Sequence, residues 1–266
     1  METKTAVHIV DNYLLNPANP VTVNLIGAGG TGSRMITTLA ETNYSLIQLG
    51  HPGLHVQLFD DDVVTEANLI KQRFAPSELG LNKAVARINN INRACGTNWK
   101  AVPEKFTSQR LKDLPEEGLA NVYITCVDTV QARFDIAGIL KGFSRKAIYG
   151  RDKPLYWLDT GNARYTGQAL LSTIGEIKQP ASQLYQTVSV LQMVTDEYKN
   201  LLEAETDNNE PSCSHAEAIL KQDLFINPAI AIWTASLFYS LFREGMVAYR
   251  GFFINLKEFR STPIRV

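Results

Sequence analysis

VTVNLIGAGGTGSRM, residues 21–35, is the stretch whose reading decides the fold. Val21 to Ile26 is an apolar, β-branched run of the kind found in a buried parallel strand, and it stops abruptly at Gly27, Gly29, Gly30 and Gly32. Gly27 suits a tight turn, while Gly29 and Gly30 let backbone N–H groups approach an anion with no Cβ in the way. Gly32 and Ser33 then open a helix whose positive end faces that anion. The pattern predicts a phosphate cradle; its blander alternative is a glycine-rich strand-to-helix turn. Gly-x-Gly-x-x-Gly serves dehydrogenases, methyltransferases and flavoproteins alike, so the residues beyond the cradle must discriminate among them.

A second strand, Leu54 to Phe59, ends in Asp60, Asp61 and Asp62, which puts Asp60 where a ribose-binding acid belongs. The chain then reads VVTEANLIKQRFAPSELGLNKA, gathering Asn68, Lys71, Gln72, Arg73 and Lys83 just beyond the carboxyl end of a strand. A dinucleotide pocket has no need of these cations. A triphosphate has, because the departing pyrophosphate must be stabilised as its bond to the α-phosphorus breaks. On charge count alone the same residues make a solvated basic loop.

The coarse order of elements is strand 21–26, helix 32–48, strand 54–60, a turn near 66–72, helix 78–94, a strand near 99–103, strand 121–127 and helix 129–142. That alternation predicts a doubly wound α/β sheet. LYWLDT (155–160) and GQALLST (167–173) read as a strand pair. Residues 174–212 are a long polar connection, helical in part near 182–202, and are expected to form a crossover loop over which a partner's tail passes. A core helix over 228–244 leads to a last strand in VAYRGFFINLK.

GAGGTGS, the D-x-D-x-V-x-x-x-N-L pattern of DDDVVTEANL, the KQ pair, GLNK and the later ITCVDTVQAR together resemble the ThiF/MoeB superfamily, the ubiquitin-activating-type adenylating enzymes. The likeness runs in order from Val21 to about Arg133 and resumes more loosely from Trp157 to about Leu241. Within the superfamily the chain is most similar to the bacterial ThiF family protein of the PRTRC genetic system. The resemblance implies a Rossmann-like mixed sheet with helices on both faces, and one adenylation domain over 1–266, with its core at 20–173, the crossover loop at 174–212 and a C-terminal helix and strand at 213–266. It implies ATP and magnesium as cofactors. Gly27, Gly29, Gly30, Gly32, Asp60, Asp62, Asn68 and Gln72 would bind the nucleotide; Lys71, Arg73 and Lys83 would line the phosphates, and Asp128 would sit by the metal. It implies a homodimer acting on the C-terminal carboxylate of a small ubiquitin-like or sulfur-carrier protein, with a conjugating-type enzyme as a further partner.

Residue chemistry adds to this. Asp128 follows the buried run NVYITCV and so emerges on the ligand side of the sheet, yet an Asp before TVQARFDIAGILKGF is equally suited to cap a helix. The family's usual Arg is Lys71 here, a point charge rather than a fork, so Arg73 is a second candidate for the γ-phosphate. Only Cys95, Cys126 and Cys213 are present, too few for the four-thiolate zinc site of many relatives, so no structural zinc is expected. Relatives pass an Arg from the partner's N-terminal segment to the nucleotide, but no Arg precedes Arg34. Cys213, in the polar PSCSHAEA context after a flexible loop, is the candidate thioester nucleophile, with an incidental loop thiol as the alternative. His215 beside it could assist Cys213 but reads rather as solvated, and Cys95, at a helix end, and Cys126, in an apolar strand, read as small core residues.

Composition sets the outer bounds. The 266 residues are 45% hydrophobic, enough for a sizeable core, and 26 basic against 27 acidic residues give no electrostatic case for nucleic acid or an anionic membrane. Unpaired cysteines and the lack of a signal-peptide pattern predict a reducing, cytoplasmic location. The function expected is ATP-dependent adenylation. The alternatives are a catalytically silent nucleotide-binding scaffold and an NAD-dependent oxidoreductase, the latter disfavoured by the cations after Asp60.

Overall fold

The computed structural model describes residues 4–113, 115–146, 148, 150–204 and 222–266. It begins with β1 (Thr5–Ile9) and the short helix α1 (Asn12–Leu15), then β2 (Val21–Ile26), every residue of which is buried. Helix and strand alternate through α2 (Gly32–Gln48), β3 (Leu54–Phe59), the single turn α3 (Asn68–Lys71), α4 (Lys83–Cys95), β4 (Lys100–Val102), α5 (Arg110–Asp113), β5 (Val122–Thr125) and α6 (Val130–Ser144). A hairpin of β6 (Tyr156–Asn162) and β7 (Thr166–Thr173) precedes β8 (Tyr185–Thr187), α7 (Val194–Glu197) and α8 (Lys199–Ala204). The last described stretch is α9 (Ile226–Glu244), β9 (Met246–Val247), β10 (Tyr249–Asn255) and β11 (Arg260–Arg265).

Eight strands form one mixed sheet in the order β11-β10-β7-β6-β5-β2-β3-β4. The pairs from β4 to β6 are parallel, and β7, β10 and β11 join by antiparallel pairing. Side chains of a strand alternate between faces, so each strand feeds two cores. Val23 and Leu25 pack with Met35 and Leu39 of α2, Ile88 of α4 and Phe238 of α9, whereas Tyr123 and Trp157 pack with Ile136 and Leu140 of α6. Helices therefore cover both faces, the α/β architecture that the alternation predicts. From β2 the chain winds outward to β3 and β4, then returns to place β5 on the other side of β2. The carboxyl ends of β2 and β5 are thus the topological switch point, where an open α/β sheet forms its crevice.

The structure departs from the sequence expectation in several places. The helix expected from residue 78 starts at Lys83, because Asn82 is its N-cap and accepts from the Val85 amide at 3.1 Å. Pro76–Glu78 is instead a 3-10 turn, closed by the Glu78 carboxylate on the Ala75 amide. The stretch 182–202 is helical only from Val194; Tyr185–Thr187 is drawn into a strand by pairing with β1. Residues just after β7 fold back on the sheet, with Thr173 and Ile177 amides donating to Leu191 and Ser189 carbonyls. β1, β8 and β9 make a small second sheet that sequence reading missed, as it missed the exposed edge strand β11. Among the described residues no helix is long and apolar enough to cross a membrane.

His8 fastens β1 to the main sheet. Its Nδ1 lies 2.7 Å from the Val188 carbonyl and its Nε2 lies 2.9 Å from the Tyr156 hydroxyl, which accepts the Asp11 amide. A carbonyl cannot donate, so Nδ1 carries the hydrogen and Nε2 accepts from Tyr156: the ring is neutral. Burial holds its pKa below the ordinary value. The unfolded chain then binds more protons below pH ~6.5, so stability is full above that pH and declines as pH falls towards the folded pKa. Denaturant titrations from pH 7.5 to 5.5 are expected to show this loss, and His8→Gln to flatten it. An unchanged slope in His8→Gln would assign the pH dependence to another group.

Candidate functional site

The crevice at the switch point is an open cleft of about 2170 Å³. Its floor is the loop between β2 and α2. Gly27 has φ +95°, and a Cβ there would lie 2.6 Å from the Cys126 carbonyl oxygen, so both the turn and the approach of β5 demand glycine. A Cβ on Gly32 would lie 1.8 Å from the Gly27 carbonyl oxygen. Gly29 opens onto free space, whereas a Cβ on Gly30 would meet the Asn227 side-chain amide at 2.6 Å. Among the described residues, the amides of Gly29, Gly30 and Thr31 have no hydrogen-bond acceptor, and all three residues line the cleft. Three orphan donors at the start of a 17-residue helix form an anion cradle.

Asp60 braces this cradle. Its Oδ2 accepts from the Ala28 amide at 2.6 Å and its Oδ1 from the Asp62 amide at 3.0 Å. Burial pushes its carboxyl pKa up, against the pull of the Ala28 N–H. Asn82 ties the same turn to α4 by donating to the Asp60 and Asp62 carbonyls. Lys83, first residue of α4, is almost wholly buried and pairs with Asp62 at 2.7 Å. Asn68 lines the cleft with its carbonyl occupied by the Thr65 amide and hydroxyl, and Gln72 lines it with a buried, unpartnered Oε1.

Asp128 is exposed and lines the cleft from the turn between β5 and α6. The helix cap is its neighbour: the Thr129 hydroxyl accepts from the Ala132 amide at 3.2 Å. Asp128 is therefore not spent on capping. Cys126 also lines the cleft, but burial raises its thiol pKa to about 12 and leaves it protonated and unreactive. Cys95, read from the sequence as a core residue, is instead exposed at the end of α4. Arg73 does not join the cleft-lining residues; it is exposed beside α2, its amide on the Ser33 hydroxyl at 3.3 Å. Lys71 closes α3, but its side chain lies outside the described residues, as do Cys213 and His215 entirely.

Two groups in the wall escaped sequence reading. Asn227, on the first turn of α9, accepts from Thr31 at 2.9 Å and Asn162 at 3.1 Å, and donates to Gln222 at 2.9 Å. One amide thus joins the cradle, the β6–β7 turn and α9. Arg133 and Asp159 form a buried ion pair at 3.2 Å beneath the Asp128 turn. The ITCVDTVQAR motif contains Arg133, but nothing local marks Asp159 as its partner. Because Asn227 is pinned by three hydrogen bonds, Gly30→Ala is expected to overpack it, at a cost of about 1–3 kcal/mol in denaturant unfolding. Shortening the neighbour in Gly30→Ala/Asn227→Ser should recover part of that loss; strictly additive effects would show that the two sites do not touch.

The ThiF family profile matches residues 4–261. Among solved structures the fold is similar to PaaA, with a TM-score of 0.58 at 15% identity over 92% of this chain and 64% of that one. It is likewise similar to MccB of E. coli with succinimide, TM-score 0.56 at 14% identity, and to MccB of E. coli with AMPCPP and MccA, TM-score 0.57 at 13% identity; each match covers 96% of this chain and 65% of that one. The chain thus spans 64–65% of the length of these relatives. No curated protein matches the chain by sequence.

Proposed function

The chain belongs to the ThiF family, and from that premise we propose that it is an ATP-dependent adenylating enzyme acting on the C-terminal carboxylate of a small ubiquitin-like or sulfur-carrier protein. The observation that carries this reading is the set of free amides at Gly29, Gly30 and Thr31, which fits a phosphate group of ATP where the sheet's crevice opens. The cleft volume exceeds the roughly 300–1,000 Å³ of ordinary ligand pockets, which leaves room for a chain terminus beside a nucleotide. One MccB structure of the same fold holds AMPCPP together with MccA, which favours a nucleotide and a second molecule sharing such a cleft.

In the reaction proposed, a carboxylate oxygen attacks the α-phosphorus of ATP, the bond to the β-phosphate breaks, and acyl adenylate and pyrophosphate result. Asp60 would hold the ribose, while the cradle amides, Asn68, Gln72, Lys71 and Lys83 would offset charge developing on the phosphates. Lys83 lines the cleft, and its ammonium has donors beyond the one on Asp62. Asp128 would hold magnesium, which when bound supplies neutralisation of the phosphate charge. Cys213 would then take the acyl group as a thioester, releasing AMP. The reading extends to a cytoplasmic, homodimeric bacterial enzyme of the PRTRC type, working with a conjugating-type partner.

ATP–pyrophosphate exchange, measured with each small carrier protein encoded in the same genome, tests the proposal. Exchange that requires a carrier with a free C-terminal carboxylate is expected, and mass spectrometry of wild type and Cys213→Ser tests the thioester. Tight ATP binding with no carrier-dependent exchange would identify a silent scaffold instead.

A further inference from the structure

Beside the glycine cradle, three amide side chains are joined in one hydrogen-bonded chain. Asn227, 4% exposed, is its centre. Its Oδ1 accepts from the Thr31 hydroxyl at 2.9 Å and from the Asn162 Nδ2 at 3.1 Å, and its own Nδ2 donates to the Gln222 Oε1 at 2.9 Å. Asn162 ends β6, Gln222 precedes α9, and all three residues line the cleft. Among the described residues the Asn162 Oδ1 and the Gln222 Nε2 have no partner.

An amide has one accepting end and one donating end, so Asn227 fixes the polarity of both neighbours. Asn162 spends its nitrogen on Asn227 and keeps its carbonyl free, while Gln222 spends its carbonyl and keeps its –NH2. Turning all three amides over exchanges the two ends and leaves them opposite. A phosphate or carboxylate anion offers acceptors only and cannot satisfy both. A peptide group can, because it carries one N–H and one C=O, each in need of a partner once taken from water. We propose that Asn162 and Gln222, locked in opposite polarity by Asn227, bind one backbone peptide group of the substrate, with Asn227 as the positioning residue that makes the pair selective for it. The inference rests on the reading above, in which a chain terminus enters the cleft. One side chain separates the pair from Thr31 of the cradle, so the group bound is among the last few before the carboxylate, at about 3.3–3.6 Å of extended chain per residue. Recognition of this kind reads the backbone and not the side chains.

Acetyl-Ala-Ala-Ala with a free carboxylate tests it, beside analogues in which one amide at a time is replaced by an ester, which removes the N–H and keeps the shape. Binding to the full chain loaded with AMPCPP is followed through the side-chain –NH2 signals in NMR titrations. One ester analogue is expected to bind at least about tenfold more weakly than the amide chain, because the Asn162 carbonyl is then left unpaired. Asn162→Ala should cut that preference to below about threefold, the mark of two groups in direct contact. Asn227→Ser should cut it as well, since an unlocked Asn162 can turn either end to the ligand; a general loss of stability would not move this ratio. Amide and ester chains that bind alike or fail alike would overturn the proposal, as would a preference that survives both Asn162→Ala and Gln222→Ala. Peptide binding that AMPCPP abolishes would give the pair to the adenine edge, which also sets a donor beside an acceptor, and would overturn it too. No adenylate need form in this assay, so a silent scaffold that holds chain termini would pass it, and an adenylating enzyme for a carboxylate of another kind would fail it.

Discussion

Asp159→Ala is expected to lower the free energy of unfolding by about 3–5 kcal/mol, the largest stability effect of any single change considered for this chain. Asp159 is 1% exposed on β6 and Arg133 5% exposed on α6. Burial pushes the Asp159 carboxyl pKa up, and Arg133 and the Thr125 hydroxyl at 2.6 Å oppose it. Removing the carboxylate strands a guanidinium whose remaining described contacts are carbonyls, those of Thr160 at 3.1 Å and Val127. The cost is that of an uncompensated buried charge rather than the worth of the pair, which gives the second half of the expectation. Asp159→Leu/Arg133→Met, similar in volume and uncharged, should regain most of the stability. Urea unfolding followed by tryptophan fluorescence measures both, since Trp157 donates to the same Thr125 hydroxyl. A loss below about 1 kcal/mol in Asp159→Ala would mean that water reaches the pair.

That ion pair also marks the boundary of what sequence reading reaches. The β2–α2–β3 unit was legible because burial on both faces makes β2 apolar throughout and because Gly27 and Gly32 are forced by backbone approach. α4 was legible in its body but not its start, since the acidic turn at Pro76–Glu78 looks like a first helical turn and Asn82 competes for the cap. β11 was missed because an edge strand need not be apolar: RSTPIR is mostly exposed and tolerates Pro263, which no central strand would. β1 was missed because it pairs with three residues near 185 and two near 246, and no local period encodes partners so distant. The residues that line the cleft divide in the same way. Asp60, Asn68, Gln72 and Lys83 are close in sequence and were found together. Asn227 is contributed by α9 from nearly 200 positions away; in the sequence it is an Asn-Pro inside an apolar run, and only the fold turns its amide to Thr31.

Asp128→Ala is expected to reduce carrier-dependent ATP–pyrophosphate exchange by about 10²–10³-fold, the scale on which a lost preorganised electrostatic contact acts. Stability should hardly move. Sequence reading left two roles for Asp128, and they predict opposite outcomes: a cap sustains the helix and a ligand sustains the chemistry. The Thr129 hydroxyl holds the Ala132 amide, so the capping role has an occupant already, and the Asp128 carboxylate is exposed. Thr129→Ala is the matching control, with an expected loss of about 0.5–2 kcal/mol in unfolding and far milder loss of exchange. Melting curves and exchange rates on the two variants should therefore cross, one stable and inactive, the other weakened and active. If Asp128→Ala instead exchanges at the wild-type rate over a magnesium titration, the metal role fails, and charge compensation in the cleft must come from the cradle amides and the lysines alone.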